Sequence, residues 1–251
     1  MSALVLECRN IHKQYGGIAA LDGVSARFEP GNIVAIIGPN GAGKTTLLNV
    51  ISGFEHCDSG EVTYGERNIA AMRPESIARL GIARTFQRSR VITELTVMEN
   101  LLLAASSDQD ESVIAAILGG SFRSRAGTLR ERTVSAMELT GLGGYDDRLA
   151  GELSYGEQKL LAIAACISGG ARTILLDEPL GGVAPHLIDQ ILRILHDLAG
   201  SGSAVVFIEH DLMSVKVVAT QIMAMHHGRI ITTGTPNEVL GNRALVEAFL
   251  E

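Results

Sequence analysis

Apolar positions along this chain recur at two different periods, and the change of period separates its elements. "LDGVSARFEPGN" (21–32) puts Val24, Ala26 and Phe28 on one face, the alternation of an antiparallel strand that runs into a turn. "IVAII" (33–37) is apolar throughout, the signature of a parallel strand buried on both faces. "EVTYGERNI" (61–69) reads as a hairpin, "TILLD" (173–177) and "AVVFIEH" (204–210) as two more buried strands, and "QIMAM" (221–225) as a weaker one. "TVMENLLLAA" (96–105) and "TLRERTVSAMELTGL" (128–142) follow the helical period instead. Six prolines occur, at 30, 39, 74, 179, 185 and 236, so the helix-like interval contains none. The pattern predicts an α/β core with a mainly helical lobe inserted at roughly 88–165. "GLGGYDDRLAGELS" (141–154) is the polar loop leading back from it.

Composition narrows the class. The chain has 251 residues, 46% of them hydrophobic, enough for a large core. Lys and Arg total 21 against 28 Asp and Glu, a net charge of −7. That balance argues against a broad nucleic-acid surface, while leaving room for a local phosphate pocket. The opening "MSALVLECRN" lacks a basic n-region and meets Glu7 early, unlike a signal peptide. No apolar run approaches the length of a membrane span. Three cysteines, at 8, 57 and 166, are odd in number and far apart, which suits reduced structural thiols.

Directly after "IVAII" stands "GPNGAGKTT" (38–46), a GxxxxGK[ST] P-loop between a strand and the helix "TTLLNVI". Its glycines let backbone N–H groups turn toward phosphate oxygens. The loop Gly38, Pro39, Asn40, Gly41, Ala42, Gly43, Lys44, Thr45 and Thr46 is therefore the candidate ATP site. Lys44 reaches the β- and γ-phosphates, and the Thr45 hydroxyl is a candidate Mg²⁺ ligand. "TILLDEP" supplies the acidic strand end that a P-loop requires: Asp177 for Mg²⁺, and Glu178 to orient or deprotonate the attacking water.

"LSYGEQ" (153–158) adds a helix start. Ser154 and Glu157 have capping-box spacing, yet Gly156 weakens the first turn. With the P-loop and acidic strand, this stretch makes the chain similar to the ATP-binding cassette (ABC) ATPases over almost its whole length. The resemblance implies a P-loop NTPase cassette: a RecA-like core, an antiparallel β subdomain and an inserted helical lobe. The core and β subdomain would span roughly 1–87 and 166–251, all within one ATPase domain.

The resemblance also implies roles. "LSYGEQ" lies at the family's signature motif, where Ser154, Gly156 and Gln158 would meet ATP bound to a second cassette. A glycine there admits close approach to phosphate at a helix N-terminus. Tyr15 would stack on adenine. Gln87, in "GIARTFQ", would touch Mg²⁺ and the attacking water, and His210 would contact the γ-phosphate. One departure stands out: after "LLDEP" the family's D-loop usually carries Asp or Asn where this chain has Ala184.

"ARLGIARTFQRSRVITELTVMENLLLA" (78–104) and the terminal "GTPNEVLGNRALVEAFLE" resemble the ATPase subunits of bacterial high-affinity branched-chain amino acid importers. That branch implies ATP and Mg²⁺ as cofactors and a second ATPase subunit, the same chain or a paralogue. It also implies two transmembrane permease subunits, which the surface from Gln87 through "RSRVITELT" would face. A periplasmic binding protein would act indirectly, and nucleic acid would not be a partner. The place would be peripheral, on the cytoplasmic side of the inner membrane. The alternative is a soluble ABC ATPase without a transport role, or a weakly hydrolysing regulatory subunit.

Overall fold

A computed structural model describes residues 4–87, 91–106 and 125–241. The chain forms two compact units, one of residues 1–84, 172–179 and 195–251, the other of residues 85–171 and 180–194. The second unit thus takes in more of the chain than the 88–165 expected for the helical lobe.

The first unit holds both sheets. Strands β1 (Leu6–Tyr15), β2 (Ile18–Phe28), β4 (Ser59–Tyr64) and β5 (Arg67–Asn68) form an antiparallel sheet ordered β2-β1-β4-β5. The hairpin expected at 61–69 is the β4–β5 pair. The other sheet adds β3 (Ile33–Ile37), β6 (Ile82–Arg84), β7 (Thr173–Asp177), β8 (Ala204–Ile208), β9 (Gln221–His226) and β10 (Arg229–Gly234). Its order is β10-β9-β3-β8-β7-β6, parallel except for β10. Every residue of β3, β7 and β8 is buried, as their apolar runs predict for a sheet covered on both faces; the polar Thr173 and Asp177 stand at the ends of β7.

Short helices of this unit follow strands. These are α1 (Lys44–Ile51), after β3, α2 (Pro74–Arg79), after β5, and α7 (Leu212–Val218), after β8. Helix α8 (Pro236–Leu240) follows β10. Leu47, Leu48 and Ile51 of α1 join Ile36, Val206, Phe28 and Leu6 in one apolar cluster, so α1 and its preceding loop rest on a rigid base.

The second unit carries α3 (Val97–Ala105), α4 (Arg125–Thr140) and α5 (Tyr155–Ser168), which pack on one another. The loop 141–154 includes a single 3₁₀ turn, Ala150–Glu152. Helix α6 (Pro185–Gly200) begins in this unit and ends in the first. All three cysteines are free. Burial pushes the thiols of Cys8 and Cys166 up to about 12, so they act as inert apolar groups.

Strand β1 has no counterpart in the alternation analysis. Its pairing with β2 is irregular after Cys8, Ile11 and Lys13, and the buried positions change parity between Cys8 and Ile11. Leu6, Cys8 and Ile11 are buried nonetheless.

Candidate functional site

The P-loop's shape comes from backbone crowding. Gly38 and Gly43 have φ of 151° and 98°. A Cβ on Gly38 would lie 2.1 Å from the Met225 carbonyl oxygen, and one on Gly43 would lie 2.3 Å from that of Ala20. Both obstacles are main chain of neighbouring strands, so no side chain fits at either position. Gly43 is also the N-cap of α1, and no side chain caps this helix. By contrast Thr96, Ser154 and Thr235 close capping boxes at α3, α5 and α8. The amides at the start of α1 thus suit an anion in place of a cap.

Lys44, only 6% exposed, donates from Nζ to the carbonyl oxygens of Gly38 (2.7 Å) and Pro39 (2.9 Å). Burial pulls its ammonium below the usual lysine value, while Glu178 and Asp177 pull it back up. The loop is therefore stapled by the same cation that the sequence assigns to the phosphates.

Asp177 ends β7, opposite Ile208 on β8, and is buried. The next residue leaves strand geometry. Glu178 has φ of 50°, a left-handed backbone that a non-glycine residue adopts only when its surroundings impose it. Its N–H donates to the Ile208 carbonyl (3.1 Å), and its Oε1 lies 3.1 Å from His210 Nε2. Asp211 in turn accepts from the N–H groups of Met213 and Ser214, capping α7 and fixing the backbone beside His210. The turn after β7 and the end of β8 thus bring a carboxylate and an imidazole together in the unit that holds the P-loop.

Tyr15, at the end of β1, is half-exposed, with Lys13 Nζ 5.3 Å from its ring centroid. Burial raises its phenol above the ordinary value, and Glu55 adds to the rise. Thr45 is exposed on the first turn of α1. Among the described residues no group of three or more His, Cys, Asp or Glu forms a metal cage. A hydroxyl and a carboxylate suit Mg²⁺, which completes its shell with phosphate oxygens and water.

Sequence reasoning overlooked Arg84, on β6. Its guanidinium donates to Asp177 Oδ2 (3.1 Å), to Asn49 Oδ1 (2.6 Å) and to Ser52 Oγ (3.1 Å). The partners lie 32 to 93 positions away in the chain, so no local signal marks them.

In the second unit Ser154 is the N-cap of α5. Its Oγ accepts from the Glu157 N–H (3.3 Å), and Glu157 Oε2 accepts from the Ser154 N–H (2.7 Å). This hydrogen bonding from Ser154 holds the Glu157 carboxyl below its usual value. Gly156 answers part of its own puzzle inside the chain: a Cβ there would stand 2.5 Å from Leu187 Cδ1 at the start of α6. Gln158 turns inward. Its Nε2 donates to the carbonyls of Ala150 and Leu153 (3.3 Å each), bracing the loop before α5 and not extending from the helix tip. Gln87 is exposed, and its carbonyl accepts from the Tyr155 hydroxyl (3.4 Å). The stretch expected to face a permease runs on into residues 88–90, outside the described residues, as does the chain from 242.

Ala184 is the residue before α6, and its carbonyl accepts from the N–H groups of Leu187 (2.9 Å) and Ile188 (3.3 Å). It stands at the N-cap, where a side-chain acceptor is favoured and Pro185 follows suitably. The D-loop backbone is held in another way: buried Lys159 donates to the Gly181 carbonyl at 2.8 Å. Ala184→Asp is expected to stabilise the chain by about 0.5–2 kcal/mol through capping, roughly 2–4 °C per kcal/mol for a domain of this size. Thermal denaturation checks it, and an unchanged or lower midpoint would exclude a capping gain.

Residues 21–181 match the family model described as ABC transporter. The high-affinity branched-chain amino acid transport ATP-binding protein LivG of Salmonella typhimurium is 32% identical over 252 residues, covering 100% of this chain and 99% of its own. A probable branched-chain amino acid transport ATP-binding protein of Methanocaldococcus jannaschii is 35% identical, covering 98% of this chain and 97% of its own. The crystal structure of the ADP conformation of an ATP-binding cassette of an ABC transporter is also similar. It has a TM-score of 0.86 and 33% identity, over 100% of this chain and 99% of that one. A nucleotide-free cassette gives 0.85 and 34%, over 99% of each. A P-loop backed by strand main chain, an acidic strand end with its histidine, and full-length likeness to such cassettes agree: the chain belongs to the ABC transporter family.

Proposed function

We propose that this chain is the ATP-hydrolysing subunit of a bacterial importer for branched-chain or related amino acids, converting ATP and water to ADP and phosphate. The observation that carries the reading is the Glu178–His210 pair, 3.1 Å apart, on a backbone turn that glutamate does not adopt unaided. In this reading the whole chain works as a single ATPase domain.

The amides of residues 38–46 and the Lys44 ammonium bind the phosphates, and Tyr15 stacks on the base. Thr45, Asp177 and Gln87 would hold Mg²⁺, which when bound neutralises charge on the β- and γ-phosphate oxygens. Glu178 accepts the proton of the attacking water, and His210 keeps that carboxylate in place. Ser154 and the Gly156 N–H act on the phosphate of a second cassette, drawing on the positive end of α5. ATP then favours the closed pair because both subunits contact it there. Two permease subunits would receive that motion on the cytoplasmic side of the membrane, with a binding protein delivering the amino acid. Among the described residues no helix is long and apolar enough to cross a membrane, consistent with a peripheral place.

The direct test is the set of proteins that co-purify with the tagged chain from gently solubilised membranes, followed by leucine, isoleucine and valine uptake in vesicles rebuilt from them. Capture of permeases with ATP-dependent uptake supports the proposal. A chain that hydrolyses ATP at full rate with no membrane partner would exclude it.

Trans action of the signature has its own test. Gly156→Asp places a carboxylate where the partner's phosphate arrives, and at close range that repulsion exceeds RT several-fold. Mixed with a Lys44→Ala chain, it is expected to restore turnover above either variant alone. In the mixed pair both defects fall on one composite site, leaving the other intact. Crosslinked mixed pairs that stay at the level of the separate variants would argue against a site in trans.

A further inference from the structure

The Arg84 side chain is 4% exposed and that of Asp177 7%. Removing such a cation from water is costly unless its donors are used, and here the two terminal nitrogens are divided between two elements. One arm of the guanidinium meets the Asp177 carboxylate at the end of β7. The other meets Asn49 and Ser52, in the last turn and at the C-cap of α1. The Phe54 ring lies 6.0 Å from its Cζ. The parallel pairing of β6 with β7 sets Arg84 level with Leu175, two residues before the acid, which brings the side chain within reach. Helix α1 is the one that opens with Lys44 and Thr45. A single planar group thus couples the carboxylate to the helix bearing the P-loop lysine and threonine, and a planar fork transmits orientation as well as charge.

We propose that Arg84 is a positioning residue for the metal-nucleotide complex. It acts through Asp177, locking the plane of that carboxylate relative to Thr45, so that the chain binds Mg·ATP in preference to ATP alone. This inference rests on the reading that Asp177 serves Mg²⁺.

The test is calorimetric titration of the full chain with a non-hydrolysable ATP analogue, once in EDTA and once with Mg²⁺. It compares the parent, Arg84→Lys, Asp177→Asn and the double variant. Arg84→Lys keeps the charge and gives up the fork. Its affinity in EDTA is expected to stay within about twofold of the parent, the usual error of additivity. The tightening that Mg²⁺ brings is expected to fall about tenfold, as when a metal ligand's outer partner is lost. Asp177→Asn is expected to lose at least as much of the Mg²⁺ effect, and the double variant no more than Asp177→Asn alone, because the two residues act as one unit.

Equal losses in EDTA and Mg²⁺ would make Arg84 a structural strut and overturn the proposal, as would losses that add in the double variant. An Mg²⁺ effect lost in Asp177→Asn but kept in Arg84→Lys overturns the role of Arg84 alone. One kept in Asp177→Asn overturns the metal role of Asp177 and the inference with it. Should Arg84→Lys be too unstable to titrate, Asn49→Ala removes the shorter of the two hydrogen bonds to α1 and leaves the ion pair and the Ser52 contact. It is expected to cut the Mg²⁺ effect about threefold, the size of one hydrogen bond, and parity with the parent would overturn the proposal.

Discussion

Glu178→Gln is expected to lower ATP turnover by about 10²–10⁴-fold, the usual contribution of a general base, while nucleotide binding persists. Glutamine keeps the volume and one hydrogen-bonding oxygen toward His210, which lies 3.1 Å from the present carboxylate. It removes the capacity to take a proton. The left-handed backbone at 178 suits glutamine no worse than glutamate, so the fold is expected to be unchanged. Single-turnover phosphate release alongside an equilibrium nucleotide titration separates the two effects. Parent-like turnover would remove Glu178 as the base, and a lost titration would mean the substitution had damaged the P-loop. His210→Ala is expected to act in the same direction as a positioning defect, and the pair should be non-additive because one group acts through the other.

Lys44→Ala is expected to abolish useful ATP binding, and the structure adds a second reason to the electrostatic one. In the proposed role the ammonium meets the phosphates, and charge-assisted contacts of this kind contribute roughly 1.5–3 kcal/mol each. It also staples the loop by donating to Gly38 and Pro39. Losing one charge-assisted contact lowers affinity by about 10- to 100-fold, and losing the staple relaxes the cradle as well. Equilibrium titration checks the result, with far-UV dichroism and thermal denaturation to show that the core endures. Unchanged affinity would refute the assignment of residues 38–46 to phosphate.

The residues of the candidate site were legible because they lie in contiguous stretches. A glycine loop after an uninterrupted apolar strand, two acids after another and a histidine after a third each need only local backbone geometry. The same holds for Ser154, whose capping box is a four-residue motif and is present as expected. The buried strands β3, β7 and β8 announce themselves because a sheet covered on both faces favours apolar runs, with the polar Thr173 and Asp177 only at the two ends of β7. Strand β1 was illegible for the opposite reason, since its irregular pairing breaks the alternation that marks a half-buried strand. Helix α6 did carry a signal in Ile191, Ile194, Leu195 and Leu198, apolar at helical spacing after Pro185 and all buried.

By itself, then, the sequence determined the family, and it marked a glycine loop, an acidic strand end, a histidine and a capped helix start as the candidate site. Only the tertiary structure decided how these groups are held. It turned Gln158 back onto Ala150 and Leu153, set Leu187 against Gly156, and tied the D-loop through Lys159 where Ala184 offers no side chain. It also brought Arg84 to Asp177 across 93 positions of chain. Each of these contacts joins residues whose separation in sequence carries no period and no motif. Their partners exist only once strand order and helix packing have placed them side by side.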